Sequence, residues 1–60
     1  MKTAAEKIQA AIAIFKASLP EARGKFRPMV SERNGNEVEF FTDGILYCTV
    51  NTRNRMIKGI

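Results

Sequence analysis

The chain has 60 residues, 45% of them hydrophobic and 27% charged, with a net charge of +4 at pH 7 and a pI near 9.7. This balance excludes a disordered chain, and no apolar run reaches the roughly 18 residues that a membrane span requires. With one cysteine, Cys48, and no histidine, the chain has neither an intrachain disulfide nor a Cys/His zinc cluster.

The length predicts one small domain over residues 1–60 with little stability to spare. Folding buries roughly 3,500 Å² of apolar surface, worth about 87 kcal/mol, while ordering the chain costs about 90 kcal/mol. Since neither a disulfide nor zinc adds to the balance, we expect association to do so, and a homodimer is the simplest form of it.

The N-terminal stretch does not read as a signal peptide. Glu6 and Gln9 interrupt what would have to be its apolar core. One unpaired cysteine also fits a reducing compartment. We therefore expect a cytoplasmic protein that does not enter a membrane.

The first predicted element is an amphipathic helix over about residues 4–18. Thr3 and Glu6 have the spacing of a capping box, and Pro20 disfavours helical geometry at the residue before it. An apolar stripe recurs at the helical period and should lie on the core. The stripe consists of Ala5, Ile8, Ala11, Ile12, Phe15 and Leu19.

Ile14 does not belong to that stripe. With Ala10 and Ala17 it forms a second strip of mostly small residues on the same helix. Two interpretations stay open: a single exposed isoleucine, which is ordinary in a soluble protein, or a contact with another helix, for which small residues allow close approach.

Two turn signals, Asn34-Gly35 and Asp43-Gly44, separate three predicted strands over about residues 25–33, 37–42 and 45–50. The fold class is therefore α+β, with the N-terminal helix packed on a three-stranded antiparallel meander. Pro28 has no N–H to donate, which places the first strand at an edge of the sheet.

Charge favours one register for the first hairpin. A two-residue loop would oppose glutamates to Val30 and to each other, whereas a three-residue loop over 34–36 opposes Arg33 to Glu37 and Val30 to Phe40. For the second hairpin a type I′ turn at Asp43-Gly44 is predicted. Its pairs are Thr42 with Ile45, Phe40 with Tyr47, and Val38 with Thr49.

These registers sort the side chains onto two faces. The predicted core face consists of Phe26, Val30, Val38, Phe40, Ile45 and Tyr47. The opposite face has an apolar cluster that one helix cannot also cover, so it is the predicted interface. Its members are Met29, Phe41, Leu46, Cys48 and Val50. The third strand is an uncharged edge, and such an edge usually pairs with something.

The tail, residues 51–60, allows two interpretations. Asn51 or Thr52 can cap a short C-terminal helix that carries Met56 and Ile57 on one side. The tail can equally be a basic, frayed end. The short helix is favoured, packed on part of the second face.

The sequence contains no catalytic motif, so we expect neither an enzyme nor a cofactor. Cys48 falls in the middle of a predicted strand, where a thiol is buried and inert. Glu37 and Glu39 share one strand face, but Glu37 is expected to pair with Arg33. The glycines are spaced as turns and form no phosphate-binding pattern.

Nucleic-acid binding is the leading functional hypothesis. Basic side chains before the first strand and in the tail are expected to converge at one end of the sheet and to hold phosphates. They are Arg23, Lys25, Arg27, Arg53, Arg55 and Lys58. The alternative is a protein-interaction module, such as a small inhibitor or accessory factor, that docks through the apolar sheet face or the open edge strand.

Overall fold

The computed structural model describes residues 3–59, so residues 1, 2 and 60 of the predicted domain lie outside the described part. Helix α1 (Ala4–Ser18) is followed by the antiparallel strands β1 (Arg27–Val30), β2 (Glu37–Thr42), β3 (Ile45–Asn51) and β4 (Met56–Lys58). The four strands form one sheet in the order β1-β2-β3-β4. The α+β class is confirmed, and so is the edge position of β1, which contains Pro28.

Helix α1 begins and ends where the sequence predicts. The Glu6 N–H donates to the Thr3 hydroxyl at 3.2 Å, and the Thr3 N–H donates to the Glu6 carboxylate at 3.3 Å, which completes the capping box. At the other end the N–H of Leu19 donates to the Phe15 carbonyl at 2.8 Å before Pro20. Both ends of the helix are therefore fixed locally, without help from the sheet.

The tail forms a turn and a strand, so the predicted C-terminal helix is wrong. The Asn51 side chain accepts from the N–H groups of Arg53 and Asn54, as a helix cap would. Asn54 then accepts from the N–H of Met56 at 2.9 Å, and Arg55 adopts a left-handed φ of 60°. These local bonds reverse the chain after one turn.

β4 returns along β3 and pairs Met56 with Asn51, Ile57 with Val50, and Lys58 with Thr49. The predicted open edge of the third strand is therefore covered over its second half. The meander has one strand more than the sequence predicts.

The connection from β1 to β2 is longer than predicted, and the register differs by two positions. Val30 pairs with Val38, not with Phe40. Ser31 accepts from the N–H groups of Arg33 and Asn34, and the Asn34 side chain accepts from a further N–H in the loop, so residues 31–36 form an ordered loop. A shift of two keeps every side chain on its predicted face. The predicted Arg33 to Glu37 pair is lost, and Glu37 bonds Lys58 instead.

The second hairpin has the predicted turn, but its register differs from the prediction further along the strands. Asp43 and Gly44 have φ values of 53° and 76°, as a type I′ turn requires, and Thr42 pairs with Ile45. Past the Phe41 to Leu46 pair, the register slips by one residue at Tyr47, which is a β-bulge. The later pairs are therefore Phe40 with Cys48 and Val38 with Val50, and the predicted pairs with Tyr47 and Thr49 are wrong.

The bulge moves Cys48 and Val50 to the helix side of the sheet, where both are completely buried. Tyr47 keeps its predicted place against the core, and Ile45, predicted in the core, is 69% exposed near the turn. The buried set is Ala11, Phe15, Val38, Phe40, Cys48 and Val50.

Phe15 lies at the centre of this core. Its ring stacks on Phe40 with the centroids 4.6 Å apart, and Phe26 and Tyr47 meet it at a tilt. The helix stripe is therefore confirmed at Ala11 and Phe15. Ile14 also packs against the core and is half-buried, so the interpretation of it as a single exposed isoleucine is wrong.

Candidate functional site

The two ends of the sheet carry different loops. The hairpin end has the Asp43-Gly44 turn and the start of β1, and the loop end has residues 31–36, called the first loop, and residues 52–55, called the tail turn. The face of the sheet turned away from α1 is called the outer face. These three surfaces hold the residues that the sequence singles out.

The six predicted nucleic-acid-binding residues do not converge. β1 begins at the hairpin end, so Arg27 and the cations just before it belong there, whereas β3 finishes at the loop end and carries the tail turn with it. Lys58 lies in β4 and donates to Glu37 at 3.1 Å. The structure thus separates the set into Lys25 and Arg27 at one end, Arg53 and Arg55 at the other, and Lys58 between them, while Arg23 is exposed in the segment from α1 to β1.

A different basic cluster forms at the loop end. Thr52 donates through its N–H at 2.8 Å and through its hydroxyl at 3.0 Å to the carbonyl of Asn36, which ties the tail turn to the first loop. The Lys7 ammonium lies over the first loop, 3.3 Å from the position a Cβ on Gly35 would take.

Four cations lie at this end of the molecule, with the carboxylates of Glu32 in the first loop and Glu37 at the start of β2. They are Lys7, Arg33, Arg53 and Arg55. Arg33, Arg53 and Arg55 are exposed and Lys7 is half-buried. Sequence reasoning missed Lys7 and Arg33, because Lys7 reaches the first loop from α1 and Arg33 comes beside the tail turn only when the loops pair.

Arg55 also faces the flank of the helix. It lines a groove of about 410 Å³ together with Thr52. The helix side of the groove consists of Ala10, Ala13, Ile14, Ala17 and Ser18. The small-residue strip noted in the sequence is thus the wall of a gap between α1 and the tail turn.

The outer face keeps three of the five predicted interface residues. Met29 is 54% exposed and Leu46 is 48% exposed, and Phe41, which pairs with Leu46, is half-buried. We call these three residues the apolar patch. Cys48 and Val50, the other two, are buried under the helix, because the bulge turns them to the other face.

A groove at the hairpin end is lined by members of both the predicted nucleic-acid-binding set and the predicted interface set. Its volume is about 450 Å³, within the ~300–1,000 Å³ typical of ligand sites. We call it the hairpin groove. Its lining consists of Lys25, Phe26, Arg27, Met29, Phe41, Asp43 and Gly44. Two cations therefore stand beside an accessible aromatic ring.

The chemistry available elsewhere in residues 3–59 is limited. Burial raises the pKa of the Cys48 thiol above its ordinary value, which disfavours the nucleophilic thiolate. Over the same residues no group of three or more Cys, Asp or Glu side chains is arranged to hold a metal ion. Helix α1 is too short and too polar to cross a membrane.

Comparisons of the chain with protein-family models, curated proteins and solved structures find no match. The functional argument therefore rests on the surfaces themselves.

Proposed function

We propose that this protein binds nucleic acid and that the loop end contacts the phosphate backbone. The observation that carries the proposal is the hydrogen-bonded pair of loops, which gathers Lys7, Arg33, Arg53 and Arg55 at one end of a chain with net charge +4. Cations clustered in this way attract phosphates and release counterions when they bind.

The asparagines of the loop end favour contacts with the phosphate backbone and disfavour recognition of individual bases. The side-chain oxygens of Asn34, Asn51 and Asn54 already accept backbone N–H groups within their own turns. Base reading by asparagine uses the amide oxygen and nitrogen together. With those oxygens occupied, we expect binding that depends weakly on sequence and strongly on salt.

Arg53→Ala is expected to reduce the salt dependence of binding to duplex DNA. Loss of one phosphate contact lowers the slope of log affinity against log salt by about 0.9. Fluorescence anisotropy of a short labelled duplex, titrated between about 50 and 200 mM salt, measures the slope. Lys16→Ala is the matched control, because Lys16 is an exposed cation in the last turn of α1, belongs to neither loop and does not line the groove beside Arg55.

Equal slopes for Arg53→Ala and Lys16→Ala would show that the phosphate contact is not made at the loop end. Absence of binding to duplex DNA, duplex RNA and single strands at the lowest salt would refute the function altogether.

A second candidate function, self-association, is favoured by the apolar patch. Met29, Phe41 and Leu46 are adjacent on the outer face, where no helix covers them. We propose that a second copy of the chain docks there in a homodimer. Dimerisation would double the number of cations available to one nucleic-acid molecule and raise the affinity through bivalency.

Leu46→Glu is expected to convert the dimer into a monomer, since a carboxylate would then be desolvated at the centre of the contact. Light scattering across a concentration series measures the mass. Met56→Glu is the control, because Met56 is also an exposed apolar side chain, 64% accessible, but lies in β4 away from the patch. A wild-type protein that stays monomeric at high concentration would rule this candidate out.

A further inference from the structure

The hairpin groove has an apolar wall and a positive net charge, from two cations and one carboxylate. Phe41 and Met29 contribute the outer-face side, and Phe26 contributes the side next to the core. Lys25 and Arg27 are both exposed at this groove, and Asp43 lies in the turn opposite β1. A ligand that fits has a flat apolar part and a negative charge close to it.

We propose that the hairpin groove binds one unpaired base of a single-stranded nucleic acid. The base stacks on the Phe41 ring, and its adjoining phosphate bonds Arg27 and Lys25. Stacking suits any base, because every base has a π face. The proposal rests on the proposed nucleic-acid function and assigns it a second contact, distant from the loop end.

Charge on the outer face limits how much strand is bound. Beyond Met29 and Phe41, the neighbouring hollow of about 580 Å³ along β1 is lined by three carboxylates, Glu32, Glu37 and Glu39, against one cation, Arg33. These carboxylates repel a phosphate backbone. The strand therefore leaves the groove at the hairpin end, and the ligand is a strand terminus or a looped-out base, not a strand laid across the sheet.

A base also accounts for features that a second copy of the chain does not. An apolar partner surface would cover Phe41 and Met29 but would not bond Lys25 and Arg27, which outnumber the one carboxylate of the groove, Asp43. A nucleotide supplies both the ring and the anion. Because the groove and the apolar patch share Met29 and Phe41, base binding and self-association compete for the same side chains.

The test compares two labelled probes, an oligothymidine strand and an abasic strand of the same length, by fluorescence anisotropy. The wild-type protein should prefer the strand with bases by about 5- to 150-fold, the range expected for stacking of one base on an aromatic side chain. Phe41→Leu keeps apolar bulk in the fold but lacks a ring face, so it should bind both probes equally. Phe41→Trp should keep the preference.

Arg27→Ala should weaken binding of both strands, because it removes a phosphate contact and leaves the ring in place. Equal affinity of the wild-type protein for the two probes, with duplex binding intact, would overturn the groove assignment and leave the proposed function standing. Failure of every nucleic acid to bind would overturn both. The assignment would also be overturned if the Phe41→Leu protein kept the preference for the strand with bases, whether or not its mass changed.

Discussion

Phe15→Ala is expected to remove about 3–5 kcal/mol from the free energy of unfolding, the range for truncating a buried phenylalanine. Phe15 is 6% exposed, stacks on Phe40 and touches Phe26 and Tyr47, so its loss leaves a cavity at the one place where helix and sheet aromatic rings meet. A chain of this length has roughly 3–9 kcal/mol in total. The loss is therefore about a third or more of the total stability.

Urea denaturation followed by circular dichroism measures the change. Met56→Ala is the control, since Met56 is 64% exposed in β4, away from the apolar patch, and its truncation should cost within about 0.5 kcal/mol. A loss of less than about 1 kcal/mol for Phe15→Ala would contradict its place at the centre of the core.

Val50→Lys is the second substitution with a large expected effect, and it tests the bulge directly. Val50 is completely buried opposite Val38. An ammonium there must lose either its hydration or its proton, and pKa shifts of buried lysines correspond to roughly 4 kcal/mol or more. The variant should not fold.

Thr49→Lys is the matched control one position earlier. Thr49 lies on the outer face between Glu39 and Lys58, so a new ammonium has one attractive and one repulsive neighbour and should change stability within about 0.5 kcal/mol. Without the bulge, Thr49 would face the core and Val50 the outside. A folded Val50→Lys protein together with an unfolded Thr49→Lys protein would therefore show that the bulge is absent.

The helix could be predicted from sequence because its signals are local. The capping box at Thr3 and Glu6 and the proline at position 20 each act within one or two turns. The α+β class followed from the turn dipeptides and the alternating β2 segment. Elements fixed by neighbours in sequence were thus accessible.

The bulge was not predictable, because β3 has apolar residues at both its odd-numbered and its even-numbered positions. Ile45 and Tyr47 alternate with Leu46, Cys48 and Val50, so either set can face the helix, and the hydrophobic pattern does not choose. The choice is made by packing: with the bulge, Val50 lies opposite Val38 and under α1. The interface prediction was wrong at Cys48 and Val50 for this reason.

The candidate sites were partly predictable. Lys25 and Arg27 were identified from their charge, and Phe41 from its face, and the structure places them in one groove. Two of the four cations at the loop end were identified from the sequence. Arg53 and Arg55 were identified, but Arg33 comes beside them through the pairing of β2 with β3, and Lys7 reaches the first loop from α1. Long-range placement of this kind leaves no local pattern.

The tail turn and β4 also cover part of an edge on which another chain would pair, at Thr49, Val50 and Asn51. β3 contains the uncharged run from Ile45 to Val50, and β4 covers its outer edge only through Met56, Ile57 and Lys58. So short a strand opens more readily than the core beneath it. Each opening exposes an edge on which another chain can pair. It also separates Arg53 and Arg55 from the first loop, so a ligand that holds the loop end together would slow aggregation as well.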